Sequence, residues 1–249
     1  MSLIGSTVKV RKHGDNLFEL TRFGWLLPIS CYFVREEDGV TLIDSGMSKS
    51  GRSIVKVADE IGQPIVRVVL THAHSDHAGS WDELATLVPD AERLVSTREA
   101  RLLAGEMDLD PDEPQAKLRG SYLTSNVRPT RLLDPGDRVG SLEVIAAPGH
   151  TPGQIAFFDH RDRALIAGDA FQTRGGIAVA STMRFLLPFP AMATWHKPTA
   201  LATARKLRDL EPSRLAVGHG KVLDDPVSSM DKAIDEAARK LGEDVARVA

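Results

Sequence analysis

Residues 70–80, LTHAHSDHAGS, most constrain the fold because they place three histidines and an aspartate within six positions. The preceding apolar run, PIVRVVL, predicts a buried strand that ends here. On a strand His72 and His74 point to the same side, while SDHAGS predicts a turn into a helix that carries Asp76 and His77. A surface loop has no packing reason to cluster histidines, whereas imidazole and carboxylate are ordinary zinc ligands. The stretch therefore predicts a metal site at a strand end.

Three further candidate ligands occur in the second half of the chain. They are His150 in PGHTPG, Asp169 in IAGDAF and His219 in VGHG. Each follows an apolar strand-like run and has small neighbours that allow the backbone to approach closely. Functional groups often gather at strand ends in mixed α/β folds, so we expect these residues to join the histidine cluster.

Composition limits the classes of protein and partner. The 249 residues carry a net charge of −3, which argues against a nucleic-acid partner. A single cysteine, Cys31, excludes an intrachain disulfide and a cysteine-based zinc site, and it fits a reducing compartment. Neither a secretory signal nor an apolar run long enough to cross a membrane is visible. We expect a cytoplasmic protein with a small-molecule substrate and no membrane partner, and a homodimer is compatible with the sequence.

Strand and helix patterns alternate along the chain, which predicts a single α/β domain over residues 1–249. REEDG predicts a hairpin turn, SGRSIVKVADEIG a helix capped by Ser50, and Ser228 with Asp231 a capping box on the last helix. Residues 106–130 are polar and contain prolines, which favours a lid or a dimerisation arm. FLLPFP at 185–190 is compatible with a substrate pocket, a core contact or a dimer contact.

The motifs THAHSDHAGS, PGHTPG, AGDAF and VGHG, with LIDSG at 42–46, resemble those of the metallo-β-lactamase superfamily. The resemblance implies a four-layer αβ/βα sandwich, in which two sheets pack back to back between helices. It also implies two divalent metal ions, zinc first, with iron or manganese as alternatives. The implied first-site ligands are His72, His74 and His150, the implied second-site ligands are Asp76, His77 and His219, and Asp169 bridges the two ions.

The bridging aspartate makes the chain similar to the glyoxalase II and lactonase branch rather than to true β-lactamases. The resemblance implies a hydrolase in which hydroxide held between the metals attacks a lactone, a thioester or a carboxylic ester. Asp76 and Asp169 are the candidate catalytic residues, and for Asp76 proton transfer and pure metal ligation are equally compatible. The alternatives are a phosphodiesterase and a sulfur dioxygenase with one iron at the equivalents of His72, His150 and Asp169.

Overall fold

The computed structural model describes residues 8–22 and 28–242, in which fifteen strands and seven α-helices form. The strands are β1 (Lys9–His13), β2 (Leu17–Arg22), β3 (Ile29–Arg35), β4 (Val40–Ile43), β5 (Ile65–Val69), β6 (Glu92–Ser96), β7 (Arg131–Leu133), β8 (Arg138–Val139), β9 (Leu142–Ala146), β10 (Ile155–Asp159), β11 (Ala164–Ile166), β12 (Phe171–Gln172), β13 (Ala178–Val179), β14 (Arg214–Ala216) and β15 (Leu223–Asp224). The helices are α1 (Gly51–Glu60), α2 (Ser75–Ala78), α3 (Trp81–Leu87), α4 (Thr97–Leu103), α5 (Phe189–Ala193), α6 (Lys197–Arg208) and α7 (Val227–Lys240).

Two large sheets divide the described chain into similar halves. The first contains β1 to β7 in sequence order, and the second has the order β15-β14-β11-β10-β9-β8. Strands β4, β5, β6 and β7 are parallel, as are β11 and β14, so their carboxyl ends lie at one edge of each sheet. A short β12–β13 ribbon follows the Gly168–Ala170 turn. The candidate ligands follow β5, β9, β11 and β14.

Alternating side chains on the strands build three apolar layers. Phe33 and Leu42 pack with α1, α3 and α4 on the outer face of the first sheet, whereas Tyr32 and Ile43 face the second sheet. On the outer face of that sheet, Phe158 packs with α6 and α7. The order is helices, sheet, sheet, helices, which confirms the predicted four-layer sandwich. The central strands of each sheet, such as β3, β4, β10 and β11, are buried on both faces, as their apolar sequences require.

The predicted hairpin between β3 and β4 is confirmed, and Ser50 occupies the N-cap position of α1 as predicted, but the predicted capping box of α7 is wrong. The Ser50 side chain makes no capping hydrogen bond, and the amide of Gly51 donates instead to Glu83 Oε2 at 2.9 Å. Helix α7 begins at Val227 after Pro226, so Ser228 already lies inside the helix and cannot cap it. Proline pre-sets the backbone angle for the first turn, which displaces the start by two residues. Within the described ranges, no helix is both long and apolar enough to cross a membrane.

One buried side chain links the two sheets next to a candidate ligand. The Tyr32 hydroxyl on β3 donates to the carbonyl of Val217 at 2.7 Å and accepts from its amide at 3.1 Å. The amide of Ser30 donates to the carbonyl of Gly218 at 2.9 Å. These bonds fix the chain immediately before His219 against the first sheet.

We expect Tyr32→Phe to lower the free energy of unfolding by about 1–3 kcal/mol, because it leaves both backbone groups of Val217 buried and unpaired. Chemical denaturation at a fixed metal concentration measures the loss. The chain offers one matched control, because its other tyrosine, Tyr122, has a buried hydroxyl without a described hydrogen-bond partner. Tyr122→Phe should cost nothing measurable, and an equal loss in both variants would contradict the linking role.

Candidate metal centre

The structure brings all seven predicted ligands together at the edge where the two sheets meet. Potential ligand atoms of His72, His74 and His150 all lie within 4.8 Å of one another, and so do those of Asp76, His77 and His219. A third such group joins His72 and His77 to Asp169. These two sets are those that the sequence resemblance implies. They are the first cluster (His72, His74 and His150) and the second cluster (Asp76, His77 and His219).

Asp169 lies between the two clusters. Its Oδ2 is 3.4 Å from His150 Nε2 and 3.2 Å from His219 Nε2, and its Oδ1 is 3.2 Å from His77 Nε2. A side chain on Gly218 would overlap Asp169 Oδ1, which explains why VGHG has glycine at that position. Oδ2 therefore faces a histidine of each cluster, and Oδ1 faces His77 of the second.

Each histidine of the second cluster is oriented by an oxygen atom behind its ring. His77 Nδ1 donates to Asp44 Oδ2 at 2.7 Å, and His219 Nδ1 donates to the carbonyl of Pro28 at 2.9 Å. Asp44 also accepts from the amide and hydroxyl of Thr71, and its backbone has the strained φ of 62°. The ring atom Nε2 of both histidines consequently faces the cluster.

The first cluster is oriented in the same way. Since the Thr71 hydroxyl donates to Asp44, it accepts from His72 Nδ1 at 3.0 Å. His150 Nδ1 lies 3.2 Å from the Thr194 hydroxyl, which itself donates to backbone carbonyls. His74 is reversed, because its Nε2 donates to the carbonyl of Arg119 at 2.9 Å and its Nδ1 faces His150 Nε2 at 3.0 Å. Hydrogen bonds behind metal-binding histidines commonly fix their tautomer and orientation.

The inward-facing atoms fit metal ions. His72 Nε2, His77 Nε2 and Asp169 Oδ1 are buried and lack a hydrogen-bond partner, although buried polar atoms are normally paired. A cavity opens beside the two clusters, and no lysine or arginine lines it among the described residues. Only bound cations, or protons on the histidines, can therefore balance the charge of the carboxylates that line it. Five imidazoles and two carboxylates suit zinc and similar borderline metals.

The pKa values separate the two clusters. Burial lowers the pKa of His72 and His74, and it lowers the pKa of His150 to about 3, which favours the neutral imidazole that binds metal. Burial has the same effect on His219, but the Asp169 and Asp76 carboxylates together outweigh burial and raise the pKa of His219 to about 10. Burial would raise the pKa of Asp169, but His219 and His77 hold it well below its usual value. The second cluster is therefore the one that most needs positive charge.

A buried carboxylate, Glu99, joins the two ligand loops. Its Oε2 accepts from the amide of Ala73 at 2.7 Å, and its Oε1 accepts from the Thr151 hydroxyl at 2.5 Å and from the amide of Gly153 at 3.0 Å. Ala73 separates His72 from His74, and Thr151 follows His150. Glu99 therefore holds three first-cluster ligands in register. Burial raises its pKa to about 7, and the three hydrogen bonds oppose that rise.

Residues 106–130 pack directly against the first cluster. Besides the Arg119 carbonyl bound by His74, the amide of Ser75 donates to the carbonyl of Ser121, and the amide of Leu123 donates to the carbonyl of Ala73. The ring of Tyr122 contacts that of His74 with centroids 4.5 Å apart. The segment thus positions a candidate ligand as well as bordering the site, and its role as a lid or arm stays a prediction.

A cavity of about 370 Å³ opens onto the clusters, a volume within the usual range for small-molecule sites. Asp76 is the accessible carboxylate, with 34% of its side chain exposed compared with 3% for Asp169. Phe189 and Pro190 of the FLLPFP stretch line the cavity, whereas Leu187 is buried.

Sequence reasoning missed most of the residues behind the ligands. Thr71 precedes a ligand and Thr194 lies in an irregular segment, and neither carries a distinctive pattern. The carbonyls of Pro28 and Arg119 leave no trace in residue type. Glu99 did leave a signal, because it shares the buried face of α4 with Leu102 and Leu103, where a carboxylate needs a partner.

The model of the metallo-beta-lactamase superfamily matches residues 24–219, which is most of the chain. The chain belongs to this superfamily. An uncharacterized protein of Bacillus subtilis (strain 168), YobT, is 46% identical over 226 residues, which cover 90% of this chain and 97% of that protein. YflN of the same strain, a probable metallo-hydrolase, is 32% identical over 210 residues, which cover 76% and 79% of the two chains.

More distant likenesses include an enzyme of a different class. Human persulfide dioxygenase ETHE1, a mitochondrial protein, is 28% identical over 153 residues, which cover 59% of this chain and 51% of that one. A crystal structure of the DIM-1 metallo-beta-lactamase superposes with a TM-score of 0.69 and 18% identity, covering 94% of this chain and 98% of that one. At that identity the likeness shows the fold alone. The named relatives are consistent with a protein that is not a true β-lactamase.

We expect Gly120→Ala to lower metal content, because the added Cβ would overlap the ring of His74 at Nε2 and displace the ring from the first cluster. Elemental analysis after dialysis measures the occupancy. Gly136→Ala is the matched control, since Gly120 and Gly136 have φ of +87° and +95°, but a Cβ on Gly136 meets nothing within 4 Å. Both variants share the backbone strain, so an equal loss of metal would contradict the steric explanation.

Glu99→Gln should reduce metal affinity by about tenfold, a typical cost of disturbing groups behind metal ligands. All three groups that contact the Glu99 carboxylate are hydrogen-bond donors. The side-chain NH2 group of glutamine would therefore face at least one buried backbone N–H group, with no acceptor between them. Competition with a chromogenic chelator measures the affinity. Glu92→Gln, at an exposed position of β6, should leave it unchanged. Wild-type affinity in Glu99→Gln would show that the ligand loops do not need this carboxylate.

Proposed function

We propose that the protein is a dinuclear zinc-dependent hydrolase that cleaves an ester-like bond in a lactone, a thioester or a carboxylic ester. The observation that carries the proposal is the position of Asp169, whose two oxygens face histidines of both clusters. A carboxylate can bind two cations at once and offset their repulsion. Divalent cations in such a site supply Lewis acidity and make a water molecule nucleophilic near neutral pH. The 32% identity to a probable metallo-hydrolase supports the same class.

The residues of the chain divide the remaining work. His72, His74 and His150 form the first-site ligand set, and Asp76, His77 and His219 form the second. Asp76 lines the cavity with part of its side chain exposed, and its Oδ2 lies 3.2 Å from His219 Nε2. It is therefore placed to hold a cation with one oxygen and to pass a proton to the leaving group of a substrate. Asp169 is too deeply buried for that exchange.

The second candidate is a mononuclear iron dioxygenase, which the likeness to persulfide dioxygenase ETHE1 favours. Its ligands would be His72, His150 and Asp169, a two-histidine, one-carboxylate set. Elemental analysis and oxygen consumption distinguish the candidates. About two zinc ions per chain with ester cleavage would support the hydrolase, whereas one iron with oxygen uptake would overturn it. Cleavage of a phosphodiester instead of an ester would identify the protein as a phosphodiesterase, the other alternative.

Asp169→Asn should lower metal occupancy and reduce turnover by orders of magnitude, because an amide nitrogen is a donor and cannot bind a second cation. Metal analysis and hydrolysis of a panel of lactones, thioesters and aryl esters test this directly. Asp159→Asn removes another buried carboxylate, which pairs with Arg161 away from the cavity, and should keep wild-type metal content. Two tightly bound metals and wild-type turnover in Asp169→Asn would rule out the dinuclear arrangement.

A further inference from the structure

We propose that α5 forms a subsite for an uncharged, apolar acyl chain on the substrate that the metal centre cleaves. The inference rests on the proposed hydrolase and specifies its substrate class. Phe189 and Met192 of α5 line the same cavity as His74 and Asp76. They remain 60% and 56% exposed, so a group bound at the metal centre can contact both side chains.

The charge distribution of the cavity selects an uncharged group. Among the described residues its charged or titratable lining consists of candidate metal ligands, and the rest is serine, glycine and apolar side chains. A substrate with a carboxylate or phosphate away from the scissile bond would find no lysine or arginine there. An alkyl chain would instead remove apolar surface from water on both the substrate and the protein.

The exposure of the preceding loop is unusual for a monomer surface. Met183, Phe185 and Leu186 are 56%, 98% and 56% exposed, within ten positions of Met192. Exposed apolar groups at this density mark a ligand, membrane or protein contact. Phe189 and Met192 line the metal cavity, which favours a substrate contact for these two side chains. Met183, Phe185 and Leu186 do not line it.

This difference provides a matched pair of variants. Phe189→Ser with Met192→Ser removes the subsite, whereas Phe185→Ser removes an equally large and more exposed ring outside the cavity. The full-length protein with its native metals is assayed on p-nitrophenyl acetate and p-nitrophenyl hexanoate. We expect the wild type to favour hexanoate in kcat/KM by about tenfold or more, as apolar enzyme pockets do for added methylenes. The double variant should lose that preference, and Phe185→Ser should keep it.

Binding provides a second measurement that does not need turnover. Calorimetric titration with 4-nitroacetanilide and 4-nitrohexananilide, the less reactive amide analogues, should show tighter binding of the longer chain to the wild type only. Metal content should be equal in all variants. Absence of a chain-length preference in the wild type, or its persistence in the double variant, would overturn the subsite.

Three outcomes separate this inference from the alternatives. If no lactone, thioester or ester is cleaved but the longer anilide still binds through Phe189 and Met192, the proposed hydrolase fails and the subsite stands. If esters are cleaved without a chain-length preference, the hydrolase stands and the subsite fails. A change from dimer to monomer in the double variant, measured by light scattering, together with no loss of preference, would assign this surface to a contact between two copies.

Discussion

The candidate centre depends on hydrogen bonds that hold each histidine from behind. A buried imidazole can present only one of its two nitrogens to a metal. Rotation of an unrestrained ring would turn that nitrogen away from the site. Here the second nitrogen of each ring lies against an oxygen, which comes from Asp44, Thr71, Thr194 or the carbonyls of Pro28 and Arg119. These oxygens lie far apart in the sequence, so the ligand geometry is a product of the whole fold.

Buried negative charge is the second constraint on this edge of the molecule. Asp44 and Glu99 are buried behind the ligands, and Asp169 lies among them. Asp44 and Glu99 accept hydrogen bonds from backbone amides and hydroxyls, which replace the water that they lose. Asp169 instead faces histidine rings, one of its oxygens has no hydrogen-bond partner, and a cation is the natural counterpart. Asp44 and Glu99 therefore order the loops that carry the ligands, whereas Asp169 faces the metal clusters.

The alternation of strands and helices predicted an α/β domain, and the residue types at the strand ends predicted a metal site. The resemblance of the motifs implied the four layers and the full set of seven ligands. Apolar strands ending in His, Asp and Gly are visible without coordinates, and so is the order of the motifs. The supporting contacts were not predictable in the same way. A carbonyl such as that of Arg119 has no side-chain signature, and the cap of α1 comes from Glu83, thirty-two positions away. Likewise, Pro226 overrode the serine pattern that predicted the start of α7. Local patterns fail where distant atoms supply the partner.

The division of ligands between the two sheets has a consequence for assembly. Four of the seven follow β5 in the first half, and His150, Asp169 and His219 follow strands of the second. Neither half alone contains all the ligands of the first cluster or of the second cluster. Metal affinity therefore depends on how closely the two halves are packed together. Bound ions would act as a reversible crosslink across the interface between the sheets, which the hydrogen bond from Tyr32 to Val217 also crosses. In a chain cut within the loop between β7 and β8, recovery of high-affinity metal binding would mark the reunion of the two pieces.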